Sequence, residues 1–128
     1  MKSRVSLVLG FAVALLVTLL RADAGHHEAA GIPITVVRIS KEYKNINTSI
    51  SDTTLTTHGI VHGKRFDVRF REHHVTPLLG KEYTDVPRGD WVALIETDHL
   101  LQIAISYGHA AEKMGCTVGD TLYISPRK

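Results

Sequence analysis

Histidine offers the most chemistry in this sequence: eight occur in 128 residues, beside a single cysteine. His26-His27 and His73-His74 are adjacent pairs, His58 and His62 stand four apart, and His99 and His109 are single. Two ligands four residues apart meet at one ion only on a helix, where that spacing stacks them on one face. Thr54 to Val61 reads instead as strand, and there the same spacing is roughly 13 Å, too far for a shared ion. With no third ligand or flanking carboxylate in a metal pattern, the histidines are expected to be solvated or ordinarily hydrogen-bonded, with no metal and no cofactor. Nucleophilic chemistry fares no better. Cys116 follows a short helix in a turn, and a lone small apolar side chain of this kind is expected to fill core. The sequence holds no Gly-x-Ser-x-Gly elbow, phosphate loop or close carboxylate pair around which a reaction could be assembled. The chain is therefore read as catalysing nothing alone. Asn47-Thr48-Ser49 is a glycosylation sequon, which matters only in a eukaryotic host.

The elements that must position these residues begin after an export signal. Lys2 and Arg4 precede an apolar stretch from Val5 to Leu20, and Ala22-Asp23-Ala24 offers small residues where a signal peptidase reads. Cleavage after Ala24 is expected, giving a secreted or periplasmic product with no stable membrane anchor, since the stretch falls short of the roughly 20 apolar residues that span a bilayer. Lys2, Arg4 and Arg21 would leave against Asp23 alone, so of 15 basic and 13 acidic residues 12 of each remain. A net charge of zero argues against a nucleic-acid partner, which would need a basic face to neutralise phosphates.

Residues 25–31 lack periodicity and read as a flexible lead-in, and one domain is expected over 32–128. Its apolar residues fall in short runs: Ile34 to Ile39, the alternating Phe66, Val68 and Phe70, the continuous Trp91 to Ile95, the alternating Leu101, Ile103 and Ile105, and Thr121 to Ile124. Turn signals separate them at His62-Gly63-Lys64, Pro77 to Gly80, Pro87 to Asp90 and Gly115 to Asp120. One short helix is expected, Ala110 to Met114, closed by Gly115. Such spacing predicts an all-β fold, a small closed or partly open barrel with one short helix near the C-terminus.

Two stretches carry the functional reading. The first, Arg38 to Ile50, is a strand, a polar turn through Lys41-Glu-Tyr-Lys-Asn45, and a second strand. The second runs from Tyr83 through Pro87-Arg-Gly-Asp-Trp-Val-Ala-Leu-Ile95 and Leu101 to Ile105 to Gly108-His-Ala-Ala-Glu-Lys-Met-Gly-Cys-Thr-Val-Gly-Asp120. Together they resemble the C-terminal domain of the S-adenosylmethionine hydroxide adenosyltransferases, a family that includes the fluorinating and chlorinating enzymes. The resemblance implies a small β-barrel that lines the adenine side of a site completed by the larger N-terminal domain of a neighbouring subunit. It places Tyr43 against the base and Asn45 on its edge, and puts Thr97, Asp98, Ser106 and Tyr107 around the rest of the ligand. An aromatic face stacks on a purine, and an amide donates and accepts at once, so it can read an adenine edge bidentately.

Departures from the family pattern fall at Ser40, which replaces an aspartate that meets the ligand's amino group, and at Asp98 and Ile105, which stand where the halogenases have arginines. Lys44 and His99 replace glycines. The family's water-activating residues belong to the N-terminal domain, and nothing in this sequence corresponds to them. The resemblance therefore implies a module for a nucleoside-like ligand, adenosine or S-adenosylmethionine, which the N-terminal signal would export. It would act as a homo-oligomer or as the non-catalytic subunit of a separately encoded adenosyltransferase. Cys116, if exposed, could link two chains. As an alternative, Ile103 to Asp120 is also similar to the segment of PDZ domains that leads from a strand through a helical turn to Gly-Asp. That would make the domain a peptide-binding module working by strand addition.

Overall fold

Strand formation follows the apolar runs, and the computed structural model describes it for residues 31–128. The expected export signal and residues 25–30 of the lead-in lie outside the described residues. The compact unit runs Ile32–Lys128, and none of its helices is long and apolar enough to cross a membrane. The strands are β1 (Ile32–Ile39), β2 (Ile46–Ser51), β3 (Phe66–Phe70), β4 (His73–Val75), β5 (Leu78–Leu79), β6 (Trp91–Ile95), β7 (Leu100–Ile105) and β8 (Thr121–Pro126). They form one sheet in the order β4-β3-β8-β1-β2-β7-β6-β5, antiparallel except for β5 on β6.

The two ends of that order meet through one bent run of chain. Val68, Arg69 and Phe70 pair with Val75, His74 and His73, and the same register continues to a bridge between Arg65 and Leu78. The Phe66 N–H donates to the Pro77 carbonyl at 3.1 Å and the Leu79 N–H to that of Lys64 at 3.0 Å. Leu78 and Leu79 then pair with Val92 and Ala93 of β6. Residues 73–79 thus leave β3 and join β6, which curls the sheet into a barrel and uses up an open edge. The Pro77 to Gly80 turn expected from sequence is in fact this closing strand.

Phe66, Val68 and Phe70 point inward to meet Ile34, Val36, Ile46, Ile103, Leu122 and Ile124 in the main core. The alternation expected in β7 is incomplete, because Leu101, Gln102, Ile103, Ala104 and Ile105 are all buried. Residues 80–90 fold over the outer face of β6 and β7, where Val86 packs on Val92, Leu94 and Ala104.

A second correction concerns Thr54 to Val61. Residues Asp52–Thr57 form a helix, α1, where strand was expected. The Ser51 hydroxyl accepts from the Thr54 N–H, and Asp52 sits in the first turn beside the positive end of the peptide dipoles. Thr56 and Thr57 donate their hydroxyls to the carbonyls four residues back, each at 3.0 Å, so the β-branched residues are satisfied within the turn. His58 caps the helix and His62 lies beyond it. Among the described residues no three His, Cys, Asp or Glu side chains come together as a metal group. The expected helix, α2, spans Ala110–Met114 and ends at Gly115 with φ 74°. Cys116 is buried in the core, and burial pushes its thiol above the usual range, so it offers no exposed sulfur for linking chains.

Arg65 ties the seam of the barrel. Its guanidinium donates to the Thr76 carbonyl at 2.7 Å and to the Asp90 carboxylate at 2.8 Å. The Arg65 hydrogen bond, helped by the Trp91 N–H and the guanidinium charge, holds the Asp90 carboxyl below the usual carboxylate range against the opposing effect of burial. A lowered pKa adds stability that is present above the unfolded value, near about pH 4, and lost as pH falls through the folded one. The pair is more than a third exposed, so this amounts to less than about 1 kcal/mol. The urea midpoint is expected to stay level from about pH 7 to 5 and to fall below about 4, with a shallower fall in Arg65→Met. A residual fall belongs to Asp85, whose carboxyl is held low by the N–H groups of Lys81 and Glu82. Identical falls in the two proteins would mean that Arg65 does not govern Asp90.

Candidate functional site

The turn between β1 and β2 is built by Ser40 and Asn45. The Ser40 hydroxyl accepts from the Asn45 N–H at 2.9 Å, and the Ser40 N–H donates to the Asn45 carbonyl at 3.1 Å. Lys44 takes φ 55°, a left-handed backbone that costs an L-residue roughly 1–2 kcal/mol, and its carbonyl accepts from the Ala111 N–H of α2 at 2.9 Å. Glycine is the residue that adopts this conformation freely, and His99 at φ 66° shares it. The departures at Lys44 and His99 thus keep the backbone that glycine would give.

Beside this turn lies a cavity of about 500 Å³, lined by Tyr43, Tyr83 and Tyr107 with Asn45, Glu82, Thr84, Ile105, Gly108 and His109. Three elements meet there: the β1–β2 turn, the end of β7 with the start of α2, and the 3₁₀ turn Tyr83–Asp85. That last turn is fixed by Asp85, whose carboxylate accepts from the N–H groups of Lys81 at 2.7 Å and Glu82 at 3.1 Å. Tyr43 is 61% exposed and Tyr107 is 72% exposed, so both rings have open faces on which a flat ligand could lie. The Arg88 guanidinium sits over the Tyr107 ring at 4.1 Å and covers one side of it.

Asn45 is almost wholly buried, and its amide is already engaged. Its Nδ2 donates to the Tyr83 hydroxyl at 3.2 Å and to Gln102 Oε1 at 3.3 Å, while the Tyr83 hydroxyl donates to the same Oε1 at 2.7 Å. Burial, with the Glu96 carboxylate nearby, pushes the Tyr83 phenol above its usual range and keeps that donor protonated. The bidentate contact expected of Asn45 is narrowed by this geometry, since only Oδ1 receives no donor from a described residue.

The cavity thus brings together Tyr43, Asn45 and Tyr107 of the residues singled out in the sequence. Ser106 stands between Ile105 and Tyr107 but is buried behind the wall, its hydroxyl without a partner. Thr97 and Asp98 are exposed in the turn at the far end of the β6–β7 hairpin, where Asp98 accepts from the Leu100 N–H at 3.0 Å. Ile105 pairs at the cavity end and Leu101 at the turn end, a separation of roughly 13 Å along the strand. Tyr83 and Gln102 were not singled out. Gln102 did carry a signal, being the lone polar residue in the run Leu100 to Ile105, where a buried amide must find partners. Tyr83 carried none, because its contacts reach across 19 and 38 residues.

The family model described as "SAM hydroxide adenosyltransferase C-terminal domain" matches residues 35–123, and a match of that extent places the chain in the family. It takes in 103–120, so the segment that is also similar to PDZ domains belongs to this barrel. No curated protein matches. Among solved structures, the chain is similar to an uncharacterized conserved protein from Thermotoga maritima, with TM-score 0.69 and 19% identity over 73% of this chain and 35% of that one. It is also similar to a conserved hypothetical protein from Thermus thermophilus, with TM-score 0.52 and 20% identity over 75% of this chain and 36% of that one. At such identities the likeness is one of fold. The chain spans about a third of the length of these structures.

Gly108 makes the cavity wall sensitive to a single methyl group. A Cβ at this position would lie 2.5 Å from Cγ2 of Ile105, and Ile105 is itself a buried core residue. Gly108→Ala is expected to lower unfolding free energy by about 1–3 kcal/mol, measured by urea denaturation. No change in midpoint would show that the strand end yields without cost.

Proposed function

We propose, from the premise that this chain belongs to the SAM hydroxide adenosyltransferase C-terminal domain family, that it is an exported module binding an adenine nucleoside in the cavity beside the β1–β2 turn. The observation that carries the reading is the convergence of Tyr43, Tyr83 and Tyr107 around the amide of Asn45. Such rings provide stacking area, worth about 1–3 kcal/mol per base, and the amide provides a polar atom that fixes orientation. Ser40 is spent on the turn, accepting from the Asn45 N–H, and supplies no charge to the ligand. Thr97 and Asp98 lie far enough along the hairpin that they would serve a second protein or the distal part of a long ligand rather than the base.

The domain is proposed to catalyse nothing alone and to rely on another chain for chemistry, as a homo-oligomer or as a subunit beside a separately encoded catalytic domain. Export rests on the basic, apolar and small-residue pattern of residues 1–24. N-terminal sequencing of secreted product is expected to begin at Gly25, and an intact Met1 would reject cleavage.

Calorimetric titration with adenosine and with S-adenosylmethionine tests the binding. At least one is expected to give saturable heat, and Asn45→Ala is expected to weaken it about tenfold or more, as loss of a buried hydrogen-bonding group does. Absence of heat with either ligand would reject the nucleoside reading.

A further inference from the structure

Three side chains on the outer face of the sheet stand in one cross-strand row. Arg38 of β1 pairs with Asn47 of β2, and Asn47 pairs with Gln102 of β7. The register shifts between Val36 and Arg38. Val37 and Arg38 are both exposed while Val36 and Ile34 are buried, so the bulge turns Arg38 onto this face. The row runs hydrogen bond to hydrogen bond. Arg38 Nη2 donates to Asn47 Oδ1 at 3.4 Å, and Gln102 Nε2 donates to the same oxygen at 3.2 Å. Gln102 Oε1 then accepts from Asn45 Nδ2 and from the Tyr83 hydroxyl.

This sequence of contacts has a direction, and Arg38 sets it. An amide can be turned end for end, but a guanidinium has five donors and no acceptor. Facing Arg38, Asn47 must present oxygen. That oxygen calls for the nitrogen of Gln102, which turns Gln102 Oε1 toward the cavity end. Facing Oε1, Asn45 must present nitrogen, and its Oδ1 remains for the cavity. Asn47 Nδ2 is buried without a partner, which is the cost of the arrangement.

We propose that Gln102, set by Arg38 through Asn47, is a positioning residue that fixes Asn45 as a hydrogen-bond acceptor and makes the cavity select purines that carry an amino donor at the 6-position. The inference rests on the nucleoside reading of the cavity and sharpens it. The 6-amino group of adenosine would meet Asn45 Oδ1, whereas the 6-oxygen of inosine would oppose it and purine riboside would leave it unpaired. Selection arises because a buried polar atom left without its partner is costly.

Calorimetry with adenosine, inosine and purine riboside on the purified protein tests this. Adenosine is expected to bind about tenfold or more tightly than either competitor. In Gln102→Leu, and in Arg38→Met, which leaves the cavity lining intact, the preference is expected to shrink to about threefold or less because Asn45 is free to turn. A merely structural role would weaken all three ligands alike and leave the ratio unchanged. Equal or tighter binding of inosine by the unaltered protein, or an unchanged ratio in both variants, would overturn the inference while leaving the nucleoside site standing. Binding of none of the three would overturn the selection, and absence of heat from S-adenosylmethionine as well would remove the nucleoside reading with it. Amide polarity is read independently by NMR: the Asn45 side-chain N–H₂ protons are expected to exchange slowly with water and to exchange faster in both variants. Fast exchange in the unaltered protein would reject the polarity whatever the ligand result.

Discussion

Gln102 lies in the middle of a strand buried on both faces, and an amide there cannot be left unpaired without a cost of about 1–3 kcal/mol. Much of the surrounding structure answers to that requirement. Asn47 faces Gln102 across the β2–β7 ladder, and Asn45 and Tyr83 complete its hydrogen bonds. Because Tyr83 must come to Gln102, the 80–90 segment is held against β6 and β7, and Val86 is carried into the small apolar cluster with Val92, Leu94 and Ala104. The third wall of the cavity exists on the same account. A polar residue in the wrong place for a strand core thereby determines where a loop without periodicity must lie.

The barrel shows a similar economy at its seam. A single run of chain, residues 73–79, serves β3 along its length and then β6, and Arg65 ties the places where those pairings change partners. Left-handed residues mark the tight connections. Lys44, His99 and Tyr107 all take positive φ, and two of them bear on the cavity, one through its carbonyl on α2 and one by its ring. Strain of this size persists where surrounding bonds over-determine the backbone.

What could be read from the residues divides along the range of the forces involved. The alternation of Phe66, Val68 and Phe70, the strand–turn–strand at Arg38 to Ile50 and the cap at Gly115 are local, and each stands in the structure. The family likeness drew on the second and third of these, with the Pro87 to Ile95 turn and strand. Thr54 to Val61 misled because Thr54, Thr56, Thr57, Ile60 and Val61 are all β-branched and outweigh a serine cap in any tally of propensity, although Ser51 and the threonine hydroxyls satisfy the backbone well enough to form a turn of helix over Asp52–Thr57. Leu78 and Leu79 were hidden between proline and glycine, and nothing nearby reports that a two-residue strand closes a sheet. The site was partly legible. Tyr43, Asn45 and Tyr107 flank turns with clear signals, whereas Gln102 and Tyr83 acquire their meaning only from partners far along the chain.

The place of β8 bears on when this molecule can exist as a folded object. β8 comes last in sequence, yet it lies between β1 and β3 and hydrogen-bonds to both. Without β8, β1 and β3 would each lack a neighbour on one side. Both pairings join residues distant in sequence, and contacts of that range slow folding. Loss of that one strand would therefore leave two open edges in the middle of the barrel at once, where loss of a terminal strand of the sheet would bare only one.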